Sequence, residues 1–310
     1  MRMGVLLGFL MLVAASVEPP AAARTVVLVS PGPQAYLDAA EGAREARGED
    51  AVGGVETIVL DQHDDRAAGE SVREADVVIA VGSRAARLAR ERAPETPLVY
   101  AMVLDPASVG LAAPGEVPAN KNTGVTMDVS TDRQFELLRQ IAPGVRRVGV
   151  LFDPAVSGPL VRAARPIARA HGMELVAQAV RDDGAVVGAA NLLLGSVDAL
   201  WVVADPTILT QANARALILI ALRTRKPLIA LSEGFVRTGA LVALAADPRE
   251  VGRRAGSMAR RIADGTPVRD LAPEAPPRLD LFINRATAEH IGLPVPAELI
   301  ERARTVFPTP

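Results

Sequence analysis

The sequence predicts an α/β protein folded as two lobes, each a parallel sheet covered by helices. Three observations predict it. Apolar runs of strand length alternate with segments of helical period over short links, the pattern of parallel strands with crossover helices. The unit is clearest between Arg146 and Val180, where Val148 to Phe152 reads as a strand, Ser157 to Ala170 as a helix and Glu174 to Val180 as a second strand. The chain also has 310 residues, 49% of them hydrophobic, enough for a large core that usually divides in two at this length.

Taken in order, Thr25 to Ser30 is the first buried strand, and Pro33 to Arg47 a helix with Tyr36, Ala40 and Ala43 on one side. Val55 to Leu60 is a strand followed by an acidic loop, Asp61 to Asp65. Asp76 to Val81 is a third strand running into Gly82-Ser83 and a helix, and Pro97 to Val103 a fourth. The stretch from Leu111 to Asn122 has no period and reads as a surface connection, and Gly124 to Asp128 as a short strand leaving the first lobe. Thr131 with Gln134 fits a capping box for a helix to Ile141.

In the organising unit Ser157 suits a helix cap, and Leu160, Ala164, Ile167 and Ala168 are expected to face the sheet. Pro166 predicts a kink or a late helix start. Helices at Val186 to Leu194 and Gln211 to Arg223 alternate with strands at Asp198 to Val203, Pro227 to Leu231 and Ala240 to Ala245. Asp247-Pro248 opens an amphipathic helix ending at Gly265. A proline-rich crossing, a strand at Leu279 to Asn284 and two short helices, the second reaching Val306, finish the chain.

Composition narrows the function. Lys121 and Lys226 are the only lysines, and the arginines are interspersed with acids rather than gathered in a basic patch, which argues against nucleic acid. The absence of cysteine excludes disulfides, thiolate catalysis and a lipid-anchored N-terminal Cys. Arg2, the apolar run Gly4 to Ala15 and Ala21-Ala22-Ala23 form an export signal, with cleavage after Ala23 as first choice and after Ser16 as second. The apolar run is too short to span a bilayer comfortably.

Tests for an enzyme fail. There is no Gly-rich phosphate loop ending in Lys-Ser/Thr, no dinucleotide glycine fingerprint after the first strand, no Gly-x-Ser-x-Gly elbow and no paired histidines for a metal. His63 sits in the acidic loop, and His171 and His290 lie near helix ends. No cofactor or metal is expected. Binding residues are sought instead at the carboxyl ends of strands, where open α/β sheets hold ligands. Asp105-Pro106, Asp153-Pro154 and Asp205-Pro206 each follow an apolar strand, and each aspartate either caps the next turn or meets a ligand. Amides after Gly82 point outward at a positive helix end, either as an ordinary serine cap or as a seat for an anion. The predicted contacts are Ser30, Gly82, Ser83 and Asp105 on one lobe and Asp153, Ser157, Asp205 and Glu233 on the other, with Tyr36, Tyr100 and Phe235 near enough to flank an apolar part. Outward amides for a carboxylate and acids for an ammonium describe a zwitterion.

Arg147 to Pro154 (RVGVLFDP), Asp198 to Pro206 (DALWVVADP) and Gly234 to Pro248 (GFVRTGALVALAADP) stand out as a set, with Gly252, Arg253, Ile283-Asn284, Thr287-Ala288, Gly292-Leu293 and Pro296. From about Thr25 to Val306 the chain resembles ABC transporter substrate-binding proteins related to tryptophan- and tyrosine-uptake binding proteins. The resemblance implies a type I periplasmic-binding fold, two Rossmann-like lobes joined by a three-strand hinge, and an anionic group held at Gly82-Ser83. Phe152-Asp153 departs from the Asn-Pro-type ending of relatives. On this basis residues 1–23 are expected to be a signal peptide, 24–125 with 245–272 one lobe, and 126–244 with 273–310 the other. The expected role is a monomeric, periplasmic solute-binding protein serving an inner-membrane ABC permease. The alternative is a ligand-sensing protein of the same fold for a receptor or histidine kinase, which a neighbouring kinase gene would favour.

Overall fold

The computed structural model describes residues 23–32, 34–48, 54–103, 106–112, 121–127, 129–276 and 278–308, so the export signal up to residue 22 and Asp105 lie outside the described residues. The first sheet is made by β1 (Thr25–Val29), β2 (Val55–Val59), β3 (Val77–Val81), β4 (Leu98–Val103) and β5 (Asn122–Thr126), all parallel, in the order β2-β1-β3-β4-β5. Helices α1 (Gln34–Arg47), α2 (Asp65–Arg73) and α3 (Ser83–Arg92) connect them. β1, β3 and β4 are buried along their whole length because helices cover both faces, which is why they read as unbroken apolar runs.

The second lobe continues the alternation. It comprises α4 (Thr131–Ile141), β6 (Arg147–Phe152), α5 (Gly158–Ala170), β7 (Glu174–Ala179), α6 (Val186–Leu194), β8 (Ala199–Trp201), α7 (Gln211–Arg223), β9 (Leu228–Ala230), α8 (Glu233–Arg237) and β10 (Val242–Ala246). The chain then crosses to the first lobe for α9 (Pro248–Ala263) and returns for β11 (Leu279–Asn284), α10 (Arg285–Ile291), α11 (Ala297–Arg302) and β12 (Thr305–Phe307). The sheet order is β12-β11-β10-β9-β8-β6-β7, parallel except where β11, coming back from the other lobe, runs antiparallel to β10. Two parallel-stranded α/β lobes thus agree with the expected fold class.

Three passages join the lobes. The first follows β5, and the second is Asp247-Pro248, where the Asp247 carboxylate caps α9 by accepting the Arg249 and Glu250 amides. The third follows Glu274, which bridges to Val125 beside β5 before the chain enters β11. α9 lies against α1 so closely that a Cβ on Gly252 would run into the Ala39 carbonyl. Arg249 and Arg253 of α9 both bond Glu45 of α1, and those hydrogen bonds hold the Glu45 carboxyl at about 2 against a usual 4.5.

Several local expectations are corrected. α5 begins at Gly158 and continues through Pro166, which sits on its exposed face where a missing amide bond faces water. Its buried stripe is Val161, Ala164 and Ala168, one residue round from the expected one, so Leu160 remains 41% exposed. The capping box at Thr131 and Gln134 does not form. The Gln134 amide instead donates to the Val129 carbonyl, and its oxygen accepts the Trp201 indole N–H at 2.7 Å. The acidic loop runs straight into α2, which buries only Ala68, Gly69 and Val72. Between Ser232 and Ala245 lies the short α8, and the second terminal helix stops at Arg302, leaving Thr305–Phe307 to pair with β11.

Candidate functional site

The carboxyl ends of the parallel strands in the two lobes face one another across a cleft of about 820 Å³. Gln34, Tyr36, Asp38, Met102 and Arg249 line it from one side, and Glu233, Arg237, Asp280, Phe282 and Arg304 from the other. Met127, Leu231 and Ala246 also border a smaller hollow of about 270 Å³, whose walls include Leu160, Trp201, Val203 and Leu244. The smaller hollow is largely apolar, although Ser130 and Thr131 also line it, and the polar atoms of Trp201 and Gln134 are spent on each other and on Val129. Met102 takes a left-handed conformation (φ 57°) at a register shift between β4 and β5, a local strain that aims it at the cleft. A separate hollow of about 330 Å³ beside Arg90, Glu95 and Lys121 opens at the amino ends of the first sheet, away from the facing edges.

On the first lobe the predicted residues Ser30, Gly82 and Ser83 come together. Ser30 Oγ accepts the amide of Ala85 at 2.9 Å, and the Gly82 carbonyl accepts that of Ala86. That leaves the Ser83 and Arg84 amides at the tip of α3 without a partner among the described residues, where the helix dipole favours an anion. Gly82 has φ 86° and ψ 161°, and a Cβ there would meet Ser30 Oγ and the Tyr36 ring at under 3 Å. The Tyr36 ring therefore lies against the turn, and Tyr36 itself lines the cleft. Burial pushes its phenol pKa up, so its hydroxyl stays neutral at ordinary pH. Asp105 lies outside the described residues, and Tyr100 is fully buried, its hydroxyl bonded to the Ala112 carbonyl.

On the second lobe Asp153, Ser157 and Asp205 also come together, with a different outcome. Asp205 is 1% exposed, and its carboxylate accepts the Asp153 amide at 2.7 Å, the Ser157 hydroxyl at 2.5 Å and the Thr207 amide at 3.0 Å. Asp153 in turn accepts the Thr207 hydroxyl and the Ala155 amide. Ser157 precedes α5 but makes no side-chain cap, its hydroxyl being committed to Asp205. Glu233 stands apart from this group, on the cleft wall beside Arg237 at 2.5 Å. Phe235 packs into the core of its own lobe.

The histidines take ordinary places. His171 ends α5 bonded to Asp132, His290 reaches the Leu222 carbonyl, and His63 faces the Val59 carbonyl. Among the described residues no group of three or more His, Cys, Asp or Glu could hold a metal, and no helix is long and apolar enough to cross a membrane.

Residues 70–307 match the family described as ABC transporter substrate binding protein. The chain belongs to that family. Among curated members, a tyrosine-binding protein of Clostridioides difficile (strain R20291) is 24% identical over 220 residues, 70% of this chain but only 63% of the relative's length. A ligand-free, open substrate-binding protein with adhesive properties from Clostridium difficile superposes with a TM-score of 0.75 at 21% identity, covering 93% of this chain and 100% of its own. A Streptococcus pneumonia ABC domain in complex with L-Trp gives 0.69 at 20% identity, covering 91% and 99%. At these identities the solved structures speak for the fold. The family matched by residues 70–307 is one of substrate-binding proteins, which agrees with the failed search for catalytic motifs.

Sequence reasoning missed Leu160, Trp201 and Asp280 as cleft residues. Leu160 was hidden by a stripe drawn one position off. Asp280 did carry a signal, a lone acid inside the apolar strand Leu-Asp-Leu-Phe-Ile-Asn.

Proposed function

We propose that this chain is the exported binding component of an ABC importer, which takes an amino-acid-like molecule with an apolar side chain between its lobes and presents it to an inner-membrane permease. The observations that carry this reading are the open amides at Ser83 and Arg84 on one lobe and, on the other, a largely apolar hollow at Leu160, Trp201, Val203 and Leu244. The amides would seat the carboxylate and the hollow the side chain. The tyrosine-binding and L-Trp-bound relatives support that class of ligand. Ser30 and Gly82 shape the amide turn, and Glu233 lines the larger cleft from the other lobe. Ser157, Asp153 and Asp205 fix the second rim rather than accept from the ligand, since their hydrogen bonds are already committed to one another.

In this reading the working segment begins at Arg24 after signal removal in the periplasm, and the protein acts as a monomer. Residues 24–125 with 245–272, and 126–244 with 273–310, move as two bodies about the three passages. Closure is driven by the free energy of burying the ligand, with no bond broken.

The test is calorimetric titration of the mature protein with L-amino acids, together with mass spectrometry of small molecules released from it. Ser83→Pro is the informative variant, because proline suits the first helical position yet deletes one amide. It should leave the fold intact and cost tenfold or more in affinity, about 1.4 kcal/mol. Undiminished binding by that variant, or no binding of any amino acid by wild type, would overturn the reading.

A further inference from the structure

Asp280 is the second residue of β11, paired in register with Ala245 of β10 just where the chain re-enters the second lobe. It is 4% exposed and lines the larger cleft. Its Oδ1 accepts from Arg278 Nε at 2.8 Å. Its Oδ2 is buried and has no hydrogen-bond partner among the described residues. Arg304 Nη1 lies 3.2 Å from that oxygen, within ion-pair range but without hydrogen-bond alignment, and the same nitrogen is 3.6 Å from Asp247 Oδ2. The Arg304 side chain is half exposed. A buried carboxylate oxygen left without a donor is rare in a folded protein and calls for a reason. Here the residue lines the cleft and the oxygen lies beside a half-exposed cation.

We infer that Asp280 is the acceptor for a cationic amine of the ligand, which takes the place at Oδ2 that Arg304 covers. The inference rests on reading the cleft as an amino-acid site. The exchange strands no charge: Arg304 keeps Asp247 as its partner, and the incoming ammonium supplies the aligned donor that the guanidinium lacks. The cleft then selects amine-bearing molecules over carboxylic acids of the same shape. Of the acids on the cleft wall, Glu233 is engaged by Arg237 and Asp38 by the Gln34 amide, whereas Asp280 alone combines deep burial with a vacant acceptor among the described residues.

The experiment titrates wild type, Asp280→Asn and Arg304→Gln with L-tyrosine, L-tryptophan and L-leucine, and with the acid of each that lacks the amino group. Wild type should prefer at least one amino acid over its deaminated partner by tenfold or more. Asp280→Asn should lose at least tenfold for that amino acid while binding of the deaminated acid is unchanged, a loss of selectivity that a merely structural role would not produce. Arg304→Gln, which uncovers the acceptor, should bind the amino acid a few-fold more tightly. Retained affinity and selectivity in Asp280→Asn, with wild-type binding intact, would overturn this inference alone. Failure of wild type to bind any of the three amino acids would overturn it together with the functional reading. Should Asp280→Asn not fold, Arg304→Gln decides: tighter binding supports the exchange, and unchanged or weaker binding refutes it.

Discussion

The turn at Gly82 in the first lobe and the turn at Asp153 in the second are built from the same parts, a buried parallel strand, a tight turn with a serine, and a helix. They differ in what they leave over. In the first, a neutral hydroxyl, Ser30 Oγ, takes one amide and the two before it remain open. In the second, a buried carboxylate takes donors from three residues, so the rim is closed upon itself. A carboxylate has about four lone-pair sites against a hydroxyl's two, and that difference converts a turn that can receive an anion into one that holds two loops together. The same motif at equivalent places therefore leaves donors open in one lobe and spends them internally in the other.

Substitutions should separate the two roles. Asp205→Ala should have the largest effect on stability, because it strands three inward donors at about 1–3 kcal/mol for each that stays buried. Urea denaturation should show a loss of about 3 kcal/mol or more, and a loss under 1 kcal/mol would mean that the second rim is not the clamp described here. Gly82→Ala should cost about 1–3 kcal/mol, since its backbone region is essentially restricted to glycine, and should also weaken ligand binding by displacing Tyr36. An unchanged melting temperature would refute the strain at that turn. Ser30→Ala should cost about 1 kcal/mol, typical of a lost amide cap, and should spare the open amides. If it abolished binding, the hydroxyl itself would be a ligand contact and the contrast between the rims would need redrawing.

The smallest effect concerns acid. Glu45 has a folded pKa of about 2 against a usual 4.5, the direction set by hydrogen bonds from Arg249 and then Arg253. Such a group adds stability above its unfolded pKa and loses it as pH falls from about 4.5 toward 2. Its contribution is an exposed one. Glu45→Gln should flatten the acid limb of a stability curve across that window and lower neutral stability by the same small amount, leaving stability at the acid end of the window unchanged. An identical acid limb in the variant would show the α1–α9 ion pairs to be idle.

The sequence was most legible where burial is two-sided. β1, β3 and β4 have no exposed face, so their composition announces them. It was least legible where elements are short or bury little: α2 hides its contacts in alanine and glycine, α8 has five residues, and β12 three. At the site, position along the chain found the right turns but not their hydrogen-bond balance. That Asp205 would absorb the Asp153 amide and the Ser157 hydroxyl depends on two loops about 50 residues apart meeting, which no local pattern encodes. The helical stripe of α5 was legible to within one residue, and that one residue decided whether Leu160 faced the core or the cleft.

Trp201 is the single tryptophan of the chain. Its ring meets Phe135 edge to face at 5.1 Å, its N–H is held by Gln134, and Gln134 holds the Val129 carbonyl in the first passage between the lobes. An indole wired in this way is a built-in optical gauge. The proposed rotation of the lobes would pull on Val129 and hence on the one hydrogen bond of the indole N–H, so intrinsic fluorescence should follow closure in the unlabelled protein, and Gln134→Leu should silence that signal.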